Sequence, residues 1–268
     1  MGAIGGTRGP VTRWLSIAPA PTSLLIGALV WEVLGRVGGY RFLPPFSAVV
    51  ARAVELAVDG PLVDALASSL LNLAIGLTIA IVLGITVGLA MGVFDGVGSA
   101  LRVFVYAGVT TPSIVFAPIF FSIFGIGPEP VIAVIVMFAV FKIIINTEAG
   151  VRNVSPSLIE MARSFSAGRM VLFTRIMLPA AAPMILAAIR VGAASAVQGM
   201  VNGEMFIAVV GLGAMVMSSG RRFDSEGVLA ILIVLLILAF ALVRGIHWVD
   251  GRLTSWLPPT TRAEGTVA

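Results

Sequence analysis

A chain of 268 residues with 59% hydrophobic and 11% charged side chains and a mean hydropathy of +1.08 carries less than half the charge of an average soluble domain, about 25%, and reads as an integral membrane protein. The net charge is +4, but the arginines are scattered through loops rather than gathered on one face, which argues against nucleic-acid binding. With no cysteine and His247 as the lone histidine, disulfide frameworks, thiol nucleophiles and histidine-rich metal centres are excluded.

In chain order, residues 1–13 are glycine-rich and read as a tail, lacking the short apolar core and small-residue cleavage site of a removable signal. A first span is expected over Trp14–Leu34, delayed or kinked by Pro19 and Pro21. Gly38–Pro45 reads as a loop, and Ser47–Val58 as a short amphipathic helix outside the membrane. The second span, Leu66–Phe94, has no charge between Asp64 and Asp95. Asp95–Arg102 then reads as a polar connection. The third span, Val103–Phe124, holds Pro112 and Pro118 and is expected to be broken or kinked. After a turn at Gly125–Pro130 comes the fourth span, Val131–Asn146, with Lys142 near its end, where a long side chain can snorkel. The fifth span, Ala182–Val201, carries Arg190. The sixth, Gly227–His247, leads into a basic tail with Pro258 and Pro259.

Between the fourth and fifth spans lies Ser155–Pro179, a charged insert in an otherwise membrane-like text. Ser155 and Pro156 form a helix start: the hydroxyl can accept from an orphan N–H, and proline at the first position loses no partnered donor. Leu158, Ala162 and Phe165 fall on one face with Ile159 beside them, while Ser157, Glu160 and Arg163 point elsewhere. Such a helix is too short and too charged to span a bilayer and must lie at its surface.

The string Glu160-Met161-Ala162, with Ile176 and Leu178-Pro179 downstream, resembles the EAA loop of binding-protein-dependent ABC import permeases, whose pattern is E-A-A, three residues, G, nine residues, I-x-L-P. Met161 replaces the usual alanine, and Ser166 stands where that family has glycine, with Gly168 two residues later. The text at Leu43–Leu56, Thr111–Gly127 and Gly211–Asp224 is similar to the nitrate/sulfonate/taurine branch, and the likeness covers residues 40–255. The resemblance implies an all-α integral membrane protein with the type I importer permease fold: six transmembrane helices and a cytoplasmic coupling helix. It implies tails at 1–13 and 251–268 around a permease domain at 14–250, with the coupling loop at 148–180.

In that family the loop helix, here residues 156–166, docks in a groove of a separate ATPase dimer. The positions so implied are Ser155, Leu158, Glu160, Met161, Ala162, Arg163, Phe165, Ser166 and Gly168, with Glu160 and Arg163 as polar contacts. Leu158 and Phe165 either anchor that partner or pack back onto the chain's own span ends. No G-x-x-x-x-G-K-[ST] phosphate loop occurs, so ATP and Mg belong to the partner and the chain itself takes no cofactor. An extracytoplasmic solute-binding protein and a second copy of the chain complete the implied assembly in a prokaryotic cell membrane.

Six spans put both termini on one side, and the positive-inside rule favours the cytoplasm. That choice places Arg8, Arg13, Arg102, Lys142, Arg152, Arg163, Arg169, Arg175, Arg244, Arg252 and Arg262 inside, against Arg36, Arg41, Arg52, Arg221 and Arg222 outside. Candidates for the translocation path are Asn72, Arg190, Gln198, Asn202 and Glu204, because polar groups within spans mark pathways or interhelical bonds. Gly211-Leu212-Gly213 reads either as a loop dipping towards the membrane or as an ordinary turn. A membrane-embedded enzyme would need clustered carboxylates or a Ser/His pair, and a stand-alone carrier ionisable residues at mid-membrane; the spans read as nearly free of charge. The resemblance implies a sulfonate, taurine or nitrate-like anion as solute, with a thiamine precursor as the alternative.

Overall fold

Small residues recur every fourth position along one stretch of the sequence, Gly76, Ala80, Gly84, Gly88 and Gly92, and this spacing sets the architecture. In the computed structural model, which describes residues 19–39, 42–207 and 210–253, they form one edge of a long helix, α3 (Leu62–Val93). That edge lies against α6 (Pro128–Arg152), whose ridge of Ile135, Ile143, Thr147 and Val151 fills the space the missing side chains leave. On its other side α6 meets α9 (Leu178–Ile207), where Gly192 sits on Ile143, Gly199 on Ile135 and Phe138, and Gly203 on Val131. Helices associate in lipid by close backbone approach rather than by escape from water, and small residues permit it. The result is a slab, α3–α6–α9, with Ile135, Ala139 and Ile143 of α6 fully buried at its centre.

Around it lie α1 (Pro19–Val37), α2 (Phe46–Val58), α4 (Asp95–Thr110), α5 (Ala117–Phe124), α10 (Gly211–Arg221) and α11 (Ser225–Leu253). The insert supplies α7 (Pro156–Ser164) and the single turn α8 (Arg169–Leu172). Among the described residues, four stretches are long and apolar enough to cross a membrane: Leu62–Val93, Pro128–Arg152, Arg169–Phe206 and Ser225–Ile246. A fifth is a broken pair, Asp95–Thr110 and Ser113–Phe124, bent by 96° at Thr111-Pro112. The expected break in the third span is therefore present, since the residue before a proline is disfavoured in helical geometry.

The helices run further than the sequence suggested. Only Phe94, in extended conformation, separates α3 from α4, so Asp95–Arg102 is not a connection but the first turns of a helix, with Asp95 at the end where a negative charge is favoured. Likewise α6 extends six residues beyond Asn146, to Arg152. The start of the expected span Trp14–Leu34 and most of the tail 251–268 lie outside the described residues. Its described part, α1, exposes Leu24, Leu25, Leu29 and Val33. Near its end α1 is tied to the loop and helix that come next: the Trp31 indole N–H donates to the Pro44 carbonyl at 3.0 Å, and Glu32 accepts from the Ser47 amide at 2.9 Å.

Candidate coupling segment and translocation path

The coupling segment begins as the sequence suggested, with Pro156 at the first position of α7, but the Ser155 hydroxyl does not cap it. That hydroxyl instead shares a 2.7 Å bond with the Ser157 hydroxyl, and no side chain caps this end. Of the expected apolar face, only Ala162 is turned inward, 4% exposed, joined by Ile159 in a small core with Val151, Val154, Ala181 and Ile185. Leu158, Met161 and Phe165 point out at 38%, 51% and 82% exposure, so they do not pack back onto the span ends. Glu160 and Arg163 are exposed beside them. The helix thus has two apolar edges, a narrow one holding it to the bundle and a broader one that the chain leaves uncovered.

Its end explains the Ser166 departure. The Ala167 amide donates to the Ala162 carbonyl at 3.1 Å and the Ser166 amide to the Arg163 carbonyl at 2.8 Å, the paired bonds of a Schellman turn. That turn requires a left-handed residue at its corner, and Ser166 occupies it at φ 56°. A glycine would do so without steric cost. Gly168, by contrast, has ordinary extended geometry and starts α8. Phe173–Met177 then widens into a π-turn before Pro179, which relieves the clash between the proline ring and the carbonyl four residues back.

At this same end of the bundle Glu148, its side chain 7% exposed, accepts from the Arg102 guanidinium at 2.7 Å and lies 3.3 Å from Arg152, which also reaches Asp95 at 2.9 Å. The group ties the start of α4 to the last turn of α6, three residues before α7. Sequence reasoning treated these residues only as loop charges. The signal was present: Glu148 and Arg152 are four apart, the spacing of a helical ion pair.

The path candidates divide into two sets. Asn72 and Glu204 are buried, 8% and 1% exposed, on the inner edges of α3 and α9. Glu204 accepts from the Ser69 hydroxyl and from the Gly213 amide, both at 2.9 Å, while the Ser69 oxygen accepts from the Leu212 amide at 2.9 Å. Gly211, at φ +88°, leaves room for the carboxyl; a Cβ there would collide with it. Glu204, three residues before the end of α9, therefore pins the start of α10, and Gly211-Leu212-Gly213 is that helix's first turn. The N–H groups at the helix start, which have no partner within the helix, are the natural donors for this carboxyl.

Gln198 and Asn202 form the second set. They lie on the open face of α9 with Ala187, Val191 and Ala194, and the Asn202 amide donates back to the Gln198 carbonyl at 2.8 Å. The outward faces of α3 and α11 are different, bearing Leu71, Ile75 and Val82, and Leu236, Ile237 and Phe240. Arg190 is half-buried on the flank of α9 and engaged within the structure. Met200 is core, fully buried, and not part of the open face.

Comparisons with known proteins agree with this architecture. The chain is 30% identical over 256 residues to the taurine transport system permease protein TauC of Escherichia coli, covering 93% of this chain and 92% of that one. It is 31% identical over 266 residues to the putative aliphatic sulfonates transport permease protein SsuC of the same organism, covering 96% and 99%. The formylaminopyrimidine transport permease protein ThiX of Halalkalibacterium halodurans is 30% identical over 229 residues, covering 85% and 91%. Among solved structures, a chain of the MetNI methionine ABC transporter, from a study of its inward-facing conformations, superposes with a TM-score of 0.61 at 20% identity over 69% of this chain and 95% of that one, so the two share a fold. Proteins of this kind carry solute across the inner membrane while a separate subunit hydrolyses ATP, and the chain is not itself an enzyme. Residues 80–255 match the family model for the inner membrane component of binding-protein-dependent transport systems, and the chain belongs to that family of ABC importer permeases.

Proposed function

We propose that α7 is the helix through which the ATPase drives this permease, and that the open face of α9 lines the route of a small anion. The observation that carries the first point is the outward row Leu158, Met161 and Phe165 on a helix already anchored by Ile159 and Ala162. An apolar edge flanked by Glu160 and Arg163 has the make-up of an interface core with a polar rim. The cytoplasmic assignment of α7, with both termini on that side, rests on the charge balance of the loops. In this reading α1 is the sixth span, two copies of the chain form the pore between their open faces, and ATP shifts the assembly between states by binding one more tightly than the other.

The solute class follows from the relatives, two of which bear the names of taurine and sulfonate permeases. The formylaminopyrimidine relative supports a thiamine precursor as the second reading. The test is the double variant Glu160→Ala/Arg163→Ala, with Phe165→Ala alongside, reconstituted with its ATPase and binding protein. Membrane insertion should persist while transport and solute-stimulated ATP hydrolysis fall. Loss of an aromatic anchor costs about 2 kcal/mol or more, so ATPase affinity should drop by at least about 30-fold. Normal uptake by both variants would remove α7 from the coupling role.

A further inference from the structure

The sequence placed Lys142 near the end of a span, free to snorkel. The structure places it fourteen residues from the first and ten from the last residue of α6, which runs unbroken from Pro128 to Arg152. At about 1.5 Å per residue those distances are roughly 21 Å and 15 Å, so Lys142 lies within the span rather than at its end. A charge at that depth is costly and is retained where it is paired or turned towards a polar cavity. Lys142 is not paired: among the described residues it has no carboxylate partner, and Glu148, the nearest acid along α6, is held by Arg102 and Arg152. Its bond is to a neutral group, the Ser195 hydroxyl at 2.7 Å, whose own proton goes to the Val191 carbonyl at 3.0 Å.

Ser195 borders the open face of α9. Lys142 and, one turn away, Asn146 on α6 therefore join Gln198 and Asn202 in one polar stripe, in contrast to the aliphatic faces of α3 and α11. An ammonium has three donors, and one is committed to Ser195. We propose that Lys142 is a specificity-determining residue of the path, with its two remaining donors taking the oxygens of an anionic group on the passing solute while Ser195 fixes its position. The inference rests on the reading of the α9 face as the solute route and narrows it: the solute carries an oxyanion, and removal of this single charge abolishes the preference.

The chain contains no cysteine, so a single probe can be placed without background. In vesicles holding the full complex, Gln198→Cys is labelled with two methanethiosulfonates of similar size, one bearing a sulfonate and one a quaternary ammonium, with and without Lys142→Gln. Gln198 lies one helical turn from Ser195, so a charge about 8 Å away attracts one reagent and repels the other, and should change the ratio of anionic to cationic labelling by about 6-fold in a wet site and by up to about 1,000-fold in a drier one. Lys142→Gln should lower that ratio within this range, and Lys142→Arg should restore it, which controls for misfolding. An unchanged ratio, or labelling equally absent with both reagents, overturns the proposal. Uptake of methanesulfonate by the unsubstituted complex is measured separately. If that fails while the labelling ratio responds to Lys142, the sulfonate assignment falls and the anion site stands.

Discussion

Adding one methyl group at Gly84 tests whether the glycine seam holds the bundle together. The new Cβ would lie 2.6 Å from Cγ2 and 2.7 Å from Cβ of Ile143, with the Val140 carbonyl at 3.3 Å. A β-branched residue in a helix has essentially one χ1 setting, so Ile143 cannot swing aside. The helices must part instead, by about 1 Å to recover an ordinary contact, and such a gap forfeits a quarter to a half of each contact's attraction. The seam is as tight on either side, where a Cβ added at Gly76 or Gly88 would lie 2.6 Å from Ile135 or 2.7 Å from Thr147. Overpacking of this kind costs about 1–3 kcal/mol, against which alanine's better helix propensity returns about 0.8–1.0 kcal/mol. The net expectation for Gly84→Ala is a loss of about 0–2 kcal/mol, or up to roughly 8 °C in the unfolding midpoint of the purified protein in detergent. The control is Gly245→Ala in α11, where an added Cβ meets nothing within 4 Å; its midpoint should hold or rise. A Gly84→Ala midpoint as high as that of Gly245→Ala, or an equal fall in both variants, would refute the seam.

Ser166→Gly should stabilise the end of α7 by about 1 kcal/mol, since a left-handed residue other than glycine costs about that much, and hydrogen exchange at the Ala167 amide should slow by up to about 5-fold. Phe223, also left-handed at φ 56° and 84% exposed, should respond to Phe223→Gly in the same direction; no change at either position would argue against these turns. Ser69→Ala leaves the Leu212 amide unpartnered and removes a donor from buried Glu204, a loss of about 1–3 kcal/mol; an unchanged thermal midpoint would dissolve that network. Asp224 is pushed up by burial, but the Gly227 amide and the Arg52 guanidinium outweigh this and hold its carboxyl below the ordinary range, while the hydrogen bonds that Arg52 donates to Glu55 first and to Asp224 second raise Arg52. A depressed carboxylate contributes stability that is complete above the unfolded pKa, about 3.9, and lost as pH falls through the folded value. The midpoint difference between the native chain and Asp224→Asn should therefore be flat from pH 5 to 8 and close in acid; a slope in the neutral range would refute the pairing.

The broad design was legible because membrane crossing is written in long apolar runs, and the short helix at Phe46–Val58 and the break at Pro112 carried local signals. The failures came from reading charge as punctuation. Asp95 and Arg102 looked like a loop, but the acid begins α4 and the arginine pairs with Glu148 across the bundle. Lys142 looked interfacial because the span was stopped at Asn146, whereas α6 continues by burying Thr147 and by pairing the buried Glu148 with Arg102 and Arg152. The period of four in Gly76, Ala80, Gly84, Gly88 and Gly92 was in plain view, yet it identifies a helix edge without naming its partner. Glu204 could not be placed from sequence at all, since its surroundings come from Ser69, 135 residues earlier, and from a glycine turn nine residues on.

Glycine on both flanks of α6 has a mechanical meaning. Three helices in backbone contact have no compliant layer of long side chains between them, so they resist sliding past one another and travel together. The insert joins this unit at two places, through three residues after α6 and through the π-turn ahead of α9. A displacement imposed there is delivered to the whole block at once. Along α9 the far end of that block lies about 39 Å from the π-turn, at the Glu204 carboxyl that holds the start of α10.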